Sequence, residues 1–283
     1  MILTDSNQRY CSGVLINNAR RDGTQYFLTA KHCVRDDVSY YIAGFNYEKQ
    51  RCESGVALEK SGHRNGSLIS LAPQAMLQPQ TVQGFELLAE WDKTDFALLR
   101  IKERIPEHYN LYLSGFDATE HQDSGFVGIH HPMGDFKKIS TYAGQVSIAA
   151  WIDEPAYPVH WQVAAWNRGT TERGSSGSPL FNKNGQVIGH LRGGFSSCES
   201  PMGSDYYGGL AWDWLGDNGS HSLARFLDPE GMEIKSLGGM RLNAARSRSK
   251  QPQTKKKRLN SPSPQAVVRL PELENLFAPE QSH

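Results

Sequence analysis

The sequence predicts a mostly β fold, because short segments rich in β-branched and aromatic residues recur between clusters of Gly, Asn, Asp and Pro. These segments lie at 13–16, 26–29, 40–45, 96–101, 125–129, 145–149, 161–163, 180–181 and 187–191. Antiparallel sandwiches or barrels suit them, since few are separated by the amphipathic stretches of about 12 residues that alternating β and α units need. The one good helical pattern in the body covers 222–227, and Asp228 and Pro229 end it.

Charge divides the chain into two unlike parts. The 283 residues carry 30 Lys plus Arg and 30 Asp plus Glu, which gives a formal net charge of zero. Residues 241–283 hold nine of the basic and three of the acidic residues, so this tail carries +6 and the body before it −6. Body and tail therefore need separate interpretations. No run reaches the ~18 apolar residues of a membrane-spanning helix, so we expect no membrane span.

The tail has the composition of a disordered segment. From Leu242 onward it is polar and rich in Ser, Pro, Gln, Lys and Arg, with few aromatic residues. The basic run 255–258 has the charge to attract nucleic acid, another polyanion or the acidic body. A solvated linker explains the same composition, and 267–277 is compatible with a small helix or a docking segment. We therefore expect residues 230–283 to form a linker and a disordered basic tail.

Two local motifs offer a general base and an acid to orient it. His32 lies in TAKHC at 29–33, after the apolar segment YFL, and a histidine at a strand end beside Cys33 has the fixed position that a base needs. Asp95 precedes the apolar strand FALL, where a partly desolvated carboxylate is able to hold an imidazole in one tautomer. Taken alone, each motif has a plainer alternative: a structural or surface histidine, and an ordinary turn aspartate.

A third motif, GSSGSPLF at 174–181, is the most specific. Acyl transfer from an activated serine needs a tight loop whose backbone N–H groups converge on the developing oxyanion, and flanking glycines let a substrate approach closely. A flexible Gly/Ser linker is the competing interpretation. The segment, however, continues into PLF and then QVIG at 186–189, which predicts a turn inside folded β structure.

In this order and with these flanking sequences, His32, Asp95 and Ser176 resemble the catalytic residues of chymotrypsin-fold serine proteases, and more narrowly those of bacterial lysyl endopeptidases. The likeness runs from about 11 to 229 and includes CSGVLINN at 11–18, HHP at 130–132, GGFSSC at 193–198 and LDP at 227–229. It implies two six-stranded antiparallel β-barrels, which we place at 1–115 and 116–229.

The resemblance also implies a mechanism. Ser176 attacks a peptide carbonyl, His32 takes its proton and later protonates the leaving amine, and Asp95 fixes the imidazole. The backbone N–H groups of Gly174 and Ser176 form the oxyanion hole, a group of interactions generally worth ~10²–10³ in rate. We expect neither a metal nor a cofactor. Ser175 stands where pancreatic-type enzymes have an aspartate that pairs with a newly cut N-terminus, so we expect no activation by that ion pair.

Substrate specificity depends on Asp205, in GSDYYG at 203–208, which matches the aspartate that reads a lysine side chain in lysyl endopeptidases. A buried carboxylate pairs with the charged end of Lys or Arg, whereas a solvated loop aspartate is the alternative. The resemblance adds Gly193 and Gly194 to the substrate-binding residues and places Trp151 near the catalytic histidine. Arg192 replaces a histidine of those relatives, and a cation there would pair with Asp205, repel a basic substrate or favour an acidic residue elsewhere in the substrate.

The four cysteines bear on the chain itself. In the resembling family, Cys11 and Cys33 form a disulfide beside the catalytic histidine, while the matches of Cys52 and Cys198 bond to cysteines near the mature N-terminus. Only ten residues precede Cys11, so we expect a truncated first barrel with an exposed sheet edge, an upstream signal peptide, and a secreted or periplasmic protein. Free thiols in a reduced compartment are the alternative for Cys52 and Cys198. A zinc site is disfavoured because no paired spacing such as C-x₂-C occurs.

The sequence thus predicts a trypsin-like serine endopeptidase, similar to lysyl endopeptidases, that cuts protein or peptide substrates after Lys or Arg, with Lys preferred. One alternative is a catalytically inactive protease-fold binding module, against which the intact His32, Asp95 and Ser176 argue. The other is a polyanion-binding protein in which the basic tail acts and the barrels serve as a scaffold.

Overall fold

A computed structural model describes residues 1–4, 9–35, 37–49, 80–217 and 221–249. The predictions for Cys52, for the basic run 255–258 and for 267–277 lie outside these residues.

Eight strands form two four-stranded antiparallel sheets in the N-terminal half. They are β1 (Ile2–Leu3), β2 (Arg9–Cys11), β3 (Val14–Ile16), β4 (Tyr26–Ala30), β5 (Ile42–Gly44), β6 (Thr81–Gln83), β7 (Phe85–Trp91) and β8 (Phe96–Ile101). The strand order is β2-β1-β5-β6 in one sheet and β3-β4-β8-β7 in the other. All five residues of β4 are buried, so this strand is a fixed support for the residues that follow it.

A nine-stranded sheet dominates the C-terminal half. The remaining strands are β9 (Tyr112–Leu113), β10 (Gly115–Asp117), β11 (Phe126–His130), β12 (Lys138–Tyr142), β13 (Ser147–Ala149), β14 (His160–Val163), β15 (Pro179–Phe181), β16 (Gln186–Gly194), β17 (Asp205–Gly209), β18 (Ser236–Leu237) and β19 (Met240–Arg241). Seven strands follow the order β12-β11-β15-β16-β17-β14-β13, while β10 pairs with β16 and β18. Strands β9 and β19 form a separate antiparallel pair.

Helices are short. They are α1 (Leu210–Asp213), α2 (Ala224–Leu227) and α3 (Leu242–Ser249), with single 3-10 turns at Lys31–Cys33, Val38–Tyr40, Glu107–Tyr109 and Pro132–Gly134. Within the described residues, none of the helices has the length and apolar character needed to cross a membrane.

Three clusters of buried apolar side chains hold the sheets together. One lies in the N-terminal half around Phe27 and Phe85, and another lies in the C-terminal half around Trp161. The third contains side chains from both halves, such as Leu98 and Val187. Burial of one side chain of this size contributes about 1.5–3 kcal/mol, so the shared cluster fixes the two halves against each other.

The predicted all-β class with antiparallel sheets is confirmed. Each predicted strand segment is a strand, with ends that differ by at most three residues, and the predicted helix at 222–227 corresponds to α2. Strand β1 pairs with β2 on one side and with β5 on the other.

The prediction of disorder from Leu242 onward is wrong for residues 242–249, which form α3. Leu242 and Ala245 are 1% and 0% exposed and belong to the N-terminal core cluster. Arg246 Nη1 donates a hydrogen bond to the Ile105 carbonyl at 2.7 Å. The segment is polar on average, but two apolar residues three positions apart on one helical face are enough to dock a short helix.

Shortening the chain to residues 1–239 should lower the free energy of unfolding by about 2–5 kcal/mol, because the buried side chains of Met240, Leu242 and Ala245 are lost. A chain shortened to residues 1–249 is the matched control, and its urea midpoint should equal that of the full chain. Equal midpoints for all three chains would contradict the docked role of α3.

Candidate active site

The pairing of β4 with β8 brings His32 and Asp95 together. Ala30, at the end of β4, lies opposite Phe96, at the start of β8. His32 Nδ1 lies 2.6 Å from Asp95 Oδ2, and the His32 backbone N–H donates to Asp95 Oδ1 at 2.9 Å. An ionised carboxylate only accepts hydrogen bonds, so Nδ1 carries the proton and Nε2 is left as an acceptor. The His32 side chain is 40% exposed and that of Asp95 10%, so a buried acid holds an outward-facing base.

Asp95 adopts a left-handed backbone conformation, with φ of 62°. Its carbonyl accepts a hydrogen bond from the Lys31 N–H at 2.6 Å, in addition to the two bonds with His32. A non-glycine residue in this conformation costs on the order of 1–3 kcal/mol, and such strain is concentrated at functional sites.

Ser176 lies in a tight turn directly before β15. Three N–H groups of this turn have carbonyl partners: Ser175 donates to Glu172 at 3.0 Å and Ser178 to Ser175 at 3.0 Å, while Gly177 donates to Leu191 of β16 at 2.7 Å. Within the described residues, the N–H groups of Gly174 and Ser176 donate to no acceptor. Two N–H groups without an acceptor among the described residues thus flank Ser175 along the chain, and an oxyanion hole needs free donors of this kind.

The glycines of the turn are required by close packing. Gly174 and Gly177 have φ of 88° and 77°, which favours glycine. A Cβ at 177 would lie 2.2 Å from Thr29 Oγ1, and one at 174 would lie 2.9 Å from the His131 carbonyl oxygen. The spacing of glycines in GSSG therefore follows from packing against β4 on one side and the turn Pro132–Gly134 on the other.

Ser12 ties this turn to the N-terminal strands. Its N–H donates to the Ser176 carbonyl and its hydroxyl to the Gly174 carbonyl, both at 2.8 Å. Its carbonyl accepts from Thr29 Oγ1 at 2.8 Å, and its Oγ accepts from the His131 N–H at 2.9 Å. Ser12 is 1% exposed, and its backbone N–H, carbonyl and hydroxyl all have partners.

A disulfide joins Cys11, the neighbour of Ser12, to Cys33, the neighbour of His32, as the family resemblance implies. The two sulfurs and a ring nitrogen of His32 lie within 4.8 Å of one another. Sulfurs that are bonded to each other are not thiolates, so this group does not suit a metal ion. Cys198 is exposed and forms no disulfide with any described residue.

Asp205 is fully buried at the start of β17, opposite Gly194 of β16. Its Oδ2 accepts hydrogen bonds from Trp166 Nε1 at 2.6 Å and Thr171 Oγ1 at 2.9 Å. Oδ1 has no hydrogen bond of good geometry among the described residues, although the Ser196 N–H faces the carboxylate. Burial raises the pKa of this carboxyl against the lowering effect of these donors, and no cation of the described residues contributes. A Cβ at 194 would lie 2.2 Å from Oδ1, so the close approach of the two strands leaves room only for glycine at this position.

Arg192 has partners other than Asp205. Its guanidinium lies 4.6 Å from the centroid of the Trp151 ring. Nη1 donates to the Lys93 carbonyl at 3.1 Å, and Nη2 lies 3.7 Å from Glu154 Oε1. The side chain is 15% exposed. Of the roles considered for this cation, an ion pair with Asp205 does not occur within the described residues.

Trp151 and Gly193 lie next to each other, since a Cβ at 193 would be 3.4 Å from the tryptophan ring. Ring centroids place Trp151 6.2 Å from His160 and 5.8 Å from Tyr206. From the family resemblance we expect Trp151 to lie near His32. Within the described part of the chain, His32 is not among the ring contacts of Trp151.

Sequence reasoning missed Ser12, Trp166 and Thr171, each of which contacts a predicted site residue. Ser12 and Gly174 are 162 positions apart, and Trp166 is 39 positions from Asp205. No local pattern indicates such partners, because each depends on which distant loops the fold brings together.

A His–Asp pair beside a serine turn with free N–H groups, on antiparallel β-sheets, is the combination found in serine proteases. The chain belongs to the lysyl endopeptidase family, since the family described as "Lysyl endopeptidase, C-terminal domain" matches residues 1–208. The chain is 29% identical over 215 residues to the lysyl endopeptidase of Pseudomonas aeruginosa. The aligned region covers 72% of this chain and 41% of that protein. It thus spans about two fifths of that relative's length.

Two solved structures are similar over most of the chain. A thermostable serine protease AL20 from an extremophilic microorganism has a TM-score of 0.44 and 13% identity, over 71% of this chain and 84% of that one. A serine endoprotease from Yersinia pestis has a TM-score of 0.41 and 19% identity, over 71% of this chain and 53% of that one.

Substitution Ser12→Ala should lower the free energy of unfolding by about 1–3 kcal/mol, because the Gly174 carbonyl and the His131 N–H lose their buried partner. Ser147→Ala, which removes a hydroxyl from an exposed residue, should change it by less than about 0.5 kcal/mol. Equal effects of both substitutions in urea unfolding would rule out the bridging role of Ser12.

Proposed function

We propose that the chain is a serine endopeptidase that hydrolyses peptide bonds after basic residues, with Lys preferred. Ser176 attacks the carbonyl carbon, and His32 Nε2 accepts the serine proton and returns it to the leaving amine. Asp95 holds the imidazole in the tautomer that leaves Nε2 free and stabilises the imidazolium that forms. Water then releases the acyl group from Ser176.

The observation that carries this proposal is the pattern of N–H groups in the turn before β15. Gly174 and Ser176 are partly buried, and within the described residues their N–H groups donate to no acceptor, so both donors are available to a bound substrate. In the proposed reaction, the developing oxyanion accepts hydrogen bonds from both. The bond from His32 to Asp95 at 2.6 Å supports the same chemistry, because it fixes the base.

A basic side chain in the substrate is the partner that Asp205 lacks. Its carboxylate is 0% exposed, it is stabilised by neutral donors alone among the described residues, and its Oδ1 faces Gly194. A buried carboxylate without a counter-charge is costly, and a lysine ammonium group would offset that cost while satisfying Oδ1. Because Arg192 is engaged by Trp151 and Glu154, it leaves Asp205 available for the substrate.

Two other functions are less well supported. A catalytically inactive binding module gives no reason to keep an oriented His32–Asp95 pair beside two free N–H groups. Polyanion binding by the basic tail depends on residues outside those that the structure describes. The Cys11–Cys33 disulfide favours an extracytoplasmic location, since disulfides persist in oxidising compartments.

A fluorophosphonate probe should label Ser176 in the folded chain, and Ser176→Ala should abolish labelling and peptide hydrolysis. Ser178→Ala, two positions along the same turn, is the matched control and should still be labelled. Labelling read by peptide mass spectrometry at another residue, or none at all, would exclude the proposed nucleophile.

Substitution Asp205→Asn should reduce kcat/KM for Lys substrates by about 30-fold or more, equivalent to at least ~2 kcal/mol, because the buried counter-charge is lost. It should not lower stability at pH 7. The folded-state pKa of Asp205 is raised, so this group favours folding only at low pH and loses that contribution as pH rises through its folded pKa.

Urea unfolding of both proteins across pH tests the second half of this prediction. The stability of the unmodified protein relative to the Asp205→Asn variant should improve as pH falls towards the raised pKa. A variant that keeps its Lys preference but is less stable at pH 7 would show that Asp205 is structural.

A further inference from the structure

The side chain of Ser175, which lies between the two residues with free N–H groups, is hydrogen-bonded to a buried histidine. His130 ends β11 and is 1% exposed. Its Nδ1 lies 2.8 Å from Ser175 Oγ, and its Nε2 lies 3.0 Å from Ser140 Oγ in β12. A single imidazole thus links the candidate nucleophile turn to a neighbouring strand.

The direction of each hydrogen bond follows from counting protons. The Ser140 hydroxyl donates its one proton to the Thr170 carbonyl at 3.0 Å, so Ser140 Oγ accepts from His130 Nε2–H. His130 Nδ1 is then an acceptor, and the Ser175 hydroxyl donates to it. Ser175 Oγ in turn accepts from the Glu172 N–H at 3.1 Å. Each proton in this chain of hydrogen bonds, which runs from Glu172 through Ser175, His130 and Ser140 to Thr170 and is called the relay below, has one acceptor.

A neutral ring is required for this arrangement. A protonated His130 would donate from Nδ1 as well, and the Ser175 hydroxyl proton would then lose its acceptor. Burial, the larger cause, and the charge of Lys138, which lies opposite on β12, together lower the pKa of His130 to about 4. His131 is its titratable neighbour along the chain, and burial holds the pKa of that histidine well below its usual range.

We propose that His130 is a positioning residue, a neutral Nε2–H imidazole that fixes Ser175 and thereby holds the N–H groups of Gly174 and Ser176 in place for the oxyanion. This inference rests on the proposed function for its catalytic consequence. On this proposal, hydrogen bonds between uncharged groups, rather than an ion pair at Ser175, hold the turn in the conformation that binds the oxyanion.

The relay should affect the reaction more than substrate binding, because oxyanion contacts strengthen in the transition state. Ser175→Ala removes the hydroxyl that His130 binds, and Ser140→Ala removes the acceptor of Nε2–H. Each should lower kcat per fluorophosphonate-titrated site by ~10–100-fold, in line with the cost of a small misplacement of catalytic groups. KM should change by less than about threefold. Ser114→Ala, at a buried serine outside the relay, is the matched control and should leave kcat unchanged.

A second measurement does not depend on catalysis. Long-range ¹H–¹⁵N NMR spectra of the histidine rings report tautomer and charge, and the His130 signal is the one displaced by Ser175→Ala. We expect a neutral Nε2–H ring at pH 5.5. An Nδ1–H or protonated ring would overturn the relay, as would an unchanged kcat per titrated site in Ser175→Ala and Ser140→Ala. Absence of labelling in the unmodified protein would instead refute the proposed function and leave the NMR result to decide the relay.

Discussion

Ser12 is the contact on which the geometry of the site depends. The candidate base and acid lie at the ends of two N-terminal strands, whereas the candidate nucleophile lies in the C-terminal half. Ser12 connects them because its backbone and hydroxyl bind both Gly174 and Ser176, and its neighbour Cys11 is bonded to Cys33 beside His32. A buried residue with all its polar groups paired permits few alternative arrangements, since moving either half would leave unsatisfied donors and acceptors.

The segment 171–176 links the candidate nucleophile to the candidate specificity residue within the C-terminal half. Thr171 donates to the candidate specificity carboxylate Asp205, and the Glu172 N–H donates to Ser175 Oγ. Ser176 and its free N–H end the segment. The proposed substrate recognition and oxyanion stabilisation, and the observed link to the N-terminal half, therefore all depend on six consecutive residues. Two features of this segment and its partner depart from ordinary pairing: Oδ1 of Asp205 and the N–H groups of Gly174 and Ser176 have no hydrogen-bond partner among the described residues.

The strands, the family and the candidate chemical groups could be predicted from sequence because each has a local pattern. Alternating and apolar runs specify strands, and GSSGSP specifies a tight turn. Strand β7 was not predicted, since a bulge between Leu87 and Ala89 breaks its alternation. Helix α3 was missed because its docking depends on two apolar residues within a polar stretch. The partners Ser12, Trp166 and His130 act over distances in sequence that no motif encodes, and the orientation of Arg192 towards Glu154 likewise depends on tertiary packing.

A structure of the protein with a peptide boronate that carries lysine at the cleavage position tests the account most directly. We predict a covalent bond between boron and Ser176 Oγ, with one boronate oxygen accepting hydrogen bonds from the N–H groups of Gly174 and Ser176. The lysine ammonium group should contact Asp205 Oδ1. A boronate bonded elsewhere, or one whose oxygen lies away from both N–H groups, would contradict the assignment of nucleophile and oxyanion hole together.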